Sequence, residues 1–103
     1  MNPASPPNAQ AAGPAVDVML SEYVITLPDT LPAGVTTFRI ANAGKENHNF
    51  AIDGNGLSQK LANDLTRGDT VTMTVDLKPG TYTIHCPIDG DAGKGMSRTL
   101  TVR

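Results

Sequence analysis

The sequence contains little of what small domains often use for stability or recognition. It has one cysteine and no tryptophan, and only 4% of its 103 residues are aromatic. One cysteine excludes an internal disulfide. Because aromatic residues are so few, a core must come from valine, isoleucine, leucine and a few methionines. No apolar run approaches 18 residues, which excludes a transmembrane helix within the sequence. The net charge is only −2, which gives no reason to expect binding to nucleic acid or to an anionic membrane.

The first 15 residues differ in composition from the rest. They carry four prolines, five alanines and no charged side chain. Such a segment cannot bury enough apolar surface to order itself, so we predict a disordered tether over residues 1–15 and one domain over residues 16–103. The segment lacks the basic start and apolar centre of a signal peptide.

Beyond the tether, short segments alternate between apolar and polar residues, which is typical of half-buried strands. The alternating segments are 37–40, 71–77, 81–86 and 99–103. In the first strand the apolar residues change from even to odd positions after Leu20. We therefore predict a bulge near Ser21 and Glu22, which would return the apolar side chains to the inward face. A short helix fits only between Leu57 and Leu65. Turn signals at regular spacing then predict an all-β fold, an antiparallel β-sandwich.

Cys86 follows one of the inward-facing strands and begins a loop that ends at Met96. A lone cysteine is most often a buried structural residue. The loop is rich in glycine, however, so it can turn sharply and bring its two ends to one point. Met96 lies in this loop, where packing explains it less well than Met19 and Met73, which we expect to fill the core.

His48 is in phase with Phe50 and Ile52, so we expect it to face the core. A histidine in such a position is usually a core residue with satisfied hydrogen bonds. Together with residues of the loop, however, His48 forms a possible set of metal donors, which follow one another along the chain as His48, Cys86, Asp91 and Met96. A thiolate, an imidazole and a distant thioether suit copper better than other common metal ions. Asp91 by itself is typical of a turn or a solvated charge, and a pairing with Lys94 would have little energetic effect.

The motifs around these residues resemble those of the cupredoxins, the single-domain blue copper proteins. The resemblance covers residues 16–103 and depends on the order of its fragments: Leu31-Pro32-Ala33-Gly34, Asn42-x-Gly44, His48-Asn49-Phe50, Leu77-x-Pro79-Gly80-x-Tyr82, Cys86-Pro87 and Gly95-Met96. It implies a Greek-key β-sandwich that binds a copper ion and exchanges single electrons with a redox partner protein.

Carried over by position, the resemblance also implies a ligand set. His48 supplies an imidazole, Cys86 the thiolate and Met96 the weak axial thioether, and Asn49 is similar to the asparagine that ties the strands of the site together. The second imidazole of the family should stand at position 91, where this sequence has Asp91. Asp91 either ligates through a carboxylate oxygen or leaves an open or water-filled position.

His85 is the only other histidine, and strand alternation sends it to the face opposite Cys86. A His-Cys pair resembles copper nitrite reductases, in which the pair bridges to a second copper. His85 is thus a candidate electron relay, although the ordinary interpretation is an exposed histidine on a sheet face.

Three functions remain open at this point. The first is one-electron transfer, and the second is copper binding for trafficking, sensing or resistance without a redox partner. The third is a metal-free interaction module. We do not expect an enzyme, because the sequence offers no oxyanion motif or recognisable substrate pocket. The tether and the copper site together predict a periplasmic or extracellular protein.

Overall fold

The computed structural model describes residues 15–88 and 92–103, and these residues form nine strands and one 3₁₀ turn. The strands are β1 (Ala15–Ser21), β2 (Val24–Thr26), β3 (Thr30–Leu31), β4 (Gly34–Asn42), β5 (Ala51–Gly54), β6 (Leu57–Lys60), β7 (Thr70–Leu77), β8 (Gly80–His85) and β9 (Ser97–Val102). The 3₁₀ turn covers Ala92–Lys94, between β8 and β9.

The strands form two sheets. One has four strands in the order β2-β1-β4-β7, and the other has five strands in the order β3-β9-β8-β5-β6. The predicted all-β sandwich is confirmed. Most neighbouring strands are antiparallel, but β1 pairs with β4 and β3 pairs with β9 in parallel. These two pairs join segments that are distant in sequence.

The core lies between the two sheets, on the faces that the alternating pattern predicted. The buried side chains of the alternating segments are Phe38, Ile40, Met73, Val75, Leu77, Tyr82, Ile84, Cys86, Leu100 and Val102. Phe38 of one sheet meets Phe50 beside the other, with ring centroids 5.5 Å apart and ring planes tilted by 48°. Such an aromatic pair contributes about 0.5–1.5 kcal/mol beyond the area that it buries.

Tyr82 fixes the connection between β7 and β8. Its hydroxyl donates to the carbonyl of Lys78 at 3.0 Å and accepts from the N–H of Lys78 at 2.9 Å. The Tyr82 side chain is buried, so its ring packs in the core while its hydroxyl keeps both hydrogen bonds.

The predicted bulge near Ser21 was wrong, and the short helix that the sequence allowed did not form. The bulge at Ser21 and Glu22 is instead a two-residue turn, since β1 ends at Ser21 and β2 returns antiparallel to it from Val24. The helix between Leu57 and Leu65 is also absent, because residues 57–60 form β6. There the Asn55-Gly56 pair, with φ of 49° and 81°, makes the tight turn of a hairpin.

Met19 is a further correction. It was expected in the core, but it is 51% exposed, because Val18 and Leu20 on either side of it face inward and a strand alternates. Met73 is buried as expected. The predicted tether lies outside the described residues except for Ala15, which begins β1. In the described ranges no helix is long and apolar enough to cross a membrane.

Candidate metal centre

Cys86 and Met96 meet where the β8–β9 ladder ends. The last residue pair of that ladder is His85 and Ser97, so the two candidate ligands are the next residues outward on each strand. The N–H of Cys86 donates to the carbonyl of Met96 at 3.1 Å, which closes the loop between them. Both side chains are buried. The glycine-rich loop therefore brings its ends together, as the sequence indicated.

His48 approaches the same place from a different segment. Its backbone forms a two-way bridge with Leu65, with N···O distances of 3.0 and 2.7 Å, and its side chain has no exposed surface. The next residue, Asn49, donates its N–H to the Sγ of Cys86 at 3.4 Å. A hydrogen bond to sulfur at this position connects the His48 segment directly to Cys86.

The Asn49 side chain anchors that segment to the neighbouring loop. Its Nδ2 donates to the Leu61 carbonyl at 3.2 Å and to Asp64 Oδ1 at 2.9 Å. Its Oδ1 accepts from the N–H groups of Phe50 and Leu61, at 2.6 and 3.2 Å. Because most of these bonds reach the loop at residues 61–64, they tie the His48-Asn49 segment to that loop.

Glu22 is the residue that the sequence analysis missed. Its Oε2 lies 2.6 Å from Nε2 of His48, and its carboxylate accepts the N–H groups of Lys45 at 2.8 Å and Glu46 at 3.2 Å. The pKa of Glu22 is lowered to about 2, first by the Lys45 N–H and then by the His48 ring. The side chain of Glu22 is 24% exposed, so its carboxylate lies at the edge of the buried site.

The turn formed by Glu22 and Tyr23 packs between two loops. Tyr23 donates its hydroxyl to Glu46 at 3.0 Å, and the Lys94 ammonium lies 4.7 Å from the centre of the Tyr23 ring. The carbonyl of Tyr23 also approaches Gly95, where a Cβ would lie only 2.7 Å from that oxygen. The turn therefore contacts both the loop before His48 and the loop that carries Met96.

The family model described as a cupredoxin-like domain matches residues 4–97 of the chain.

The chain belongs to the cupredoxin-like family.

Solved structures with the same fold include auracyanins and rusticyanin. An auracyanin from the photosynthetic bacterium Roseiflexus castenholzii, reduced with dithionite, is 17% identical and superposes with a TM-score of 0.73, over 90% of this chain and 99% of that one. Auracyanin B is 20% identical, with a TM-score of 0.72 over 94% and 95% of the two chains. Reduced rusticyanin is 20% identical, with a TM-score of 0.68 over 90% and 82%. No curated protein matches the chain in the sequence comparison.

In this cupredoxin-like chain, a buried asparagine organises the loop before His48. Asn42 donates its Nδ2 to the carbonyls of Glu46 at 2.9 Å and Leu65 at 2.8 Å. Its Oδ1 accepts the N–H of Gly44 at 2.8 Å. The loop that presents its N–H groups to Glu22 is therefore held from its inner side by Asn42.

His85 lies on the outer face of the five-stranded sheet, away from Cys86, as strand alternation predicted. Its side chain is 27% exposed, and its Nε2 is 2.7 Å from Asp53 Oδ2. Asp53 also accepts from Ser58 at 2.6 Å. The Ser58 bond, followed by the His85 contact, lowers the pKa of Asp53. The geometry supplies a hydrogen bond between His85 and Asp53 here, and a role as electron relay stays a prediction.

Asp91 lies outside the described residues. Within the described ranges, no group of three or more histidine, cysteine, aspartate or glutamate side chains is placed to hold a metal ion. The candidate set here consists of one imidazole, one thiol and one thioether. Their chemistry fits a soft ion such as copper, because sulfur ligands select copper over hard cations.

Proposed function

We propose that the chain binds one copper ion through His48, Cys86 and Met96 and transfers single electrons. The observation that carries this proposal is the burial of three donor groups at one end of the sandwich, where Asn49 N–H contacts Cys86 Sγ and Cys86 N–H contacts Met96. Membership of the cupredoxin-like family supports the same conclusion.

The residues of the chain supply the conditions that fast electron transfer needs. A bound copper ion supplies the one-electron couple. The buried imidazole, thiol and thioether exclude water from it, and the bonds of Asn49 and Asn42 hold their backbone segments fixed. A fixed, dry environment lowers the rearrangement that accompanies a change of charge.

Burial also favours electron transfer over copper trafficking. A trafficking protein must pass its ion to a partner by ligand exchange, which requires ligands that the partner can reach. His48, Cys86 and Met96 are each at most 1% exposed. An electron, unlike an ion, can leave a site that is covered. We therefore propose a redox partner protein, a periplasmic or extracellular location and no catalytic activity of the chain itself.

We further propose that Asp91 stands beside the metal in place of a second imidazole. A carboxylate is harder than imidazole and carries a charge, so as a ligand it favours Cu(II) and lowers the potential. As a solvated turn residue it would have neither effect. The substitution Asp91→His separates the two.

The test is a titration of the metal-free protein with Cu(II), followed by visible absorption. We expect an intense band in the wild type and none in Cys86→Ser, because Cys86 is the only cysteine in the chain. A coloured serine variant, or a colourless wild type, would contradict the proposal.

Met96 has a matched control in Met73. Both side chains are buried, at 0% and 8% exposure, but Met73 lies in β7. We expect Met96→Leu to keep the thiolate band and raise the potential, since an axial thioether tunes the ion without dominating its bonding. Met73→Leu should change neither the band nor the potential. Equal shifts in the two variants would remove Met96 from the ligand set.

A further inference from the structure

The contact between His48 and Glu22 limits how the His48 ring can act. The Oε2 of Glu22 is 2.6 Å from Nε2, which is a short hydrogen bond, and the ring is fully buried. Glu22 is held in place by the N–H groups of Lys45 and Glu46, both of which can only donate. The partner of Nε2 is therefore a fixed acceptor rather than a mobile side chain.

This fixed acceptor selects one tautomer of the ring. The Glu22 carboxylate already accepts two backbone N–H groups and acts as the acceptor here too, so the short contact requires a hydrogen on Nε2. In the neutral ring the other nitrogen, Nδ1, then carries the lone pair. A metal ion can be bound by His48 only through Nδ1, because Nε2 carries the proton.

Resting on the proposed copper function, we propose that Glu22 is a positioning residue: it fixes the tautomer and orientation in which His48 offers Nδ1 to the metal. Its negative charge, passed through the ring, also makes the imidazole a stronger donor and stabilises Cu(II) relative to Cu(I). Carboxylates that accept from a metal-bound histidine act in this way in other metal sites, where their removal typically costs about 10–100-fold in affinity.

Because Gly44 has no side chain, it leaves room for the Glu22 carboxylate. A Cβ at position 44 would lie 2.0 Å from Oε2 of Glu22. Its φ lies outside the range that alanine avoids, so Gly44→Ala changes the space around Glu22 without straining the backbone at that position. The variant moves the carboxylate and keeps its charge, whereas Glu22→Gln removes the charge and keeps the shape.

The first test reads the tautomer in the metal-free protein by ¹⁵N NMR of labelled histidine. The chain has two histidines, and His85→Gln assigns the signals. We expect His48 to be the Nε2–H tautomer in the wild type and to show a smaller Nε2–H fraction in Glu22→Ala. An Nδ1–H tautomer in the wild type, or an unchanged Nε2–H tautomer in Glu22→Ala, would overturn the proposal. Circular dichroism establishes that each variant is folded.

The second test measures the midpoint potential of the copper-loaded protein. We expect Glu22→Gln to lower the ratio of Cu(II) to Cu(I) affinity about tenfold, which raises the potential by about 59 mV for a one-electron couple. Gly44→Ala should also raise the midpoint potential, because it moves the carboxylate away from the His48 ring. The control is Asp76→Asn, which makes the same carboxylate-to-amide change at an exposed position. Asp76 pairs with Val35 near the start of β4, whereas the candidate site lies near the other end of that strand, at Asn42.

The two tests separate failure of this inference from failure of the proposed function. A coloured copper protein in which Glu22→Gln and Asp76→Asn have the same potential would overturn the role of Glu22 and leave copper binding intact. A wild type with the Nε2–H tautomer but no copper binding would overturn the proposed function and, with it, the effect of Glu22 on the metal.

Discussion

The approach of Gly95 to the carbonyl of Tyr23 predicts a specific loss of stability when one methyl group is added. A Cβ at position 95 would lie 2.7 Å from that oxygen, and Gly95 has a φ of 124°. Gly95→Ala therefore combines backbone strain with a steric clash. Because the atom in the way belongs to the backbone, it cannot rotate aside as the end of a side chain can.

Two other glycines separate these effects. Gly34 has nearly the same φ, 127°, but a Cβ there would meet nothing within 4 Å, so Gly34→Ala measures strain alone. Gly93 has neither a positive φ nor a close neighbour. Gly93→Ala therefore measures the gain of about 0.4–1 kcal/mol that comes from a less flexible unfolded chain.

The expected magnitudes follow from these differences. Gly34→Ala should be less stable than Gly93→Ala by about 1–2 kcal/mol, the cost of a left-handed residue. Gly95→Ala should lose a further ~1–3 kcal/mol, the usual cost of overpacking. A further loss of about 2 kcal/mol lowers the urea midpoint by about 1 M at a slope of about 2 kcal/mol per M.

The assay is equilibrium urea unfolding of the metal-free proteins, with circular dichroism as the signal. We expect a folded baseline for the wild type without metal, because most of its core consists of strand residues that are not candidate metal ligands. Equal midpoints for Gly34→Ala and Gly95→Ala would refute the reasoning. That result would mean that the turn at Tyr23 yields to the methyl group at no cost.

Three other predictions can be checked with the same proteins and assays. Tyr82→Phe should cost about 1–3 kcal/mol in urea unfolding, because the N–H and carbonyl of Lys78 lose their shared partner; an unchanged midpoint would contradict this. The bonds from Thr66 lower the pKa of Asp69 below 3.8, so its contribution is present above the unfolded pKa and is lost as the pH falls through the folded value; the stability gap between wild type and Asp69→Asn should narrow on acidification, and a constant gap would exclude this effect. Asp91→His should raise the copper potential and strengthen the visible band, whereas an unchanged spectrum and potential would place Asp91 away from the metal.

The strand faces were predictable from sequence because a strand alternates with a period of two and the core selects one phase. Phe38, Ile40, Tyr82 and Ile84 all follow this rule. The same rule should have placed Met19 outside, and the prediction failed because methionine was taken as core filler regardless of phase. The turn at Asn55-Gly56 was also predictable, because both residues tolerate a positive φ. This turn reverses the chain into the antiparallel strand β6, so residues 57–60 extend as a strand instead of forming a helix.

The candidate site was predictable only in part. His48, Cys86 and Met96 stand in recognisable motifs, and the structure brings them to the same end of the sandwich. Glu22 has no such motif, since its contact with His48 depends on a turn between β1 and β2 and on the path of a second loop. A sequence pattern records periodicity and spacing along the chain, but not which loop folds over which.

The position of β9 has a consequence for the order in which the chain folds. This strand lies between β3 and β8, and it pairs Thr101 with Thr30 in parallel. The five-stranded sheet cannot close until residues 97–102 are in place, and until then β3 and β8 expose unpaired edges that can join other chains. Long-range pairings of this kind fold in about milliseconds to seconds. The antiparallel β8–β9 pairing alone brings Met96 beside Cys86, so these two candidate ligands meet without waiting for the long-range pairing of β9 with β3.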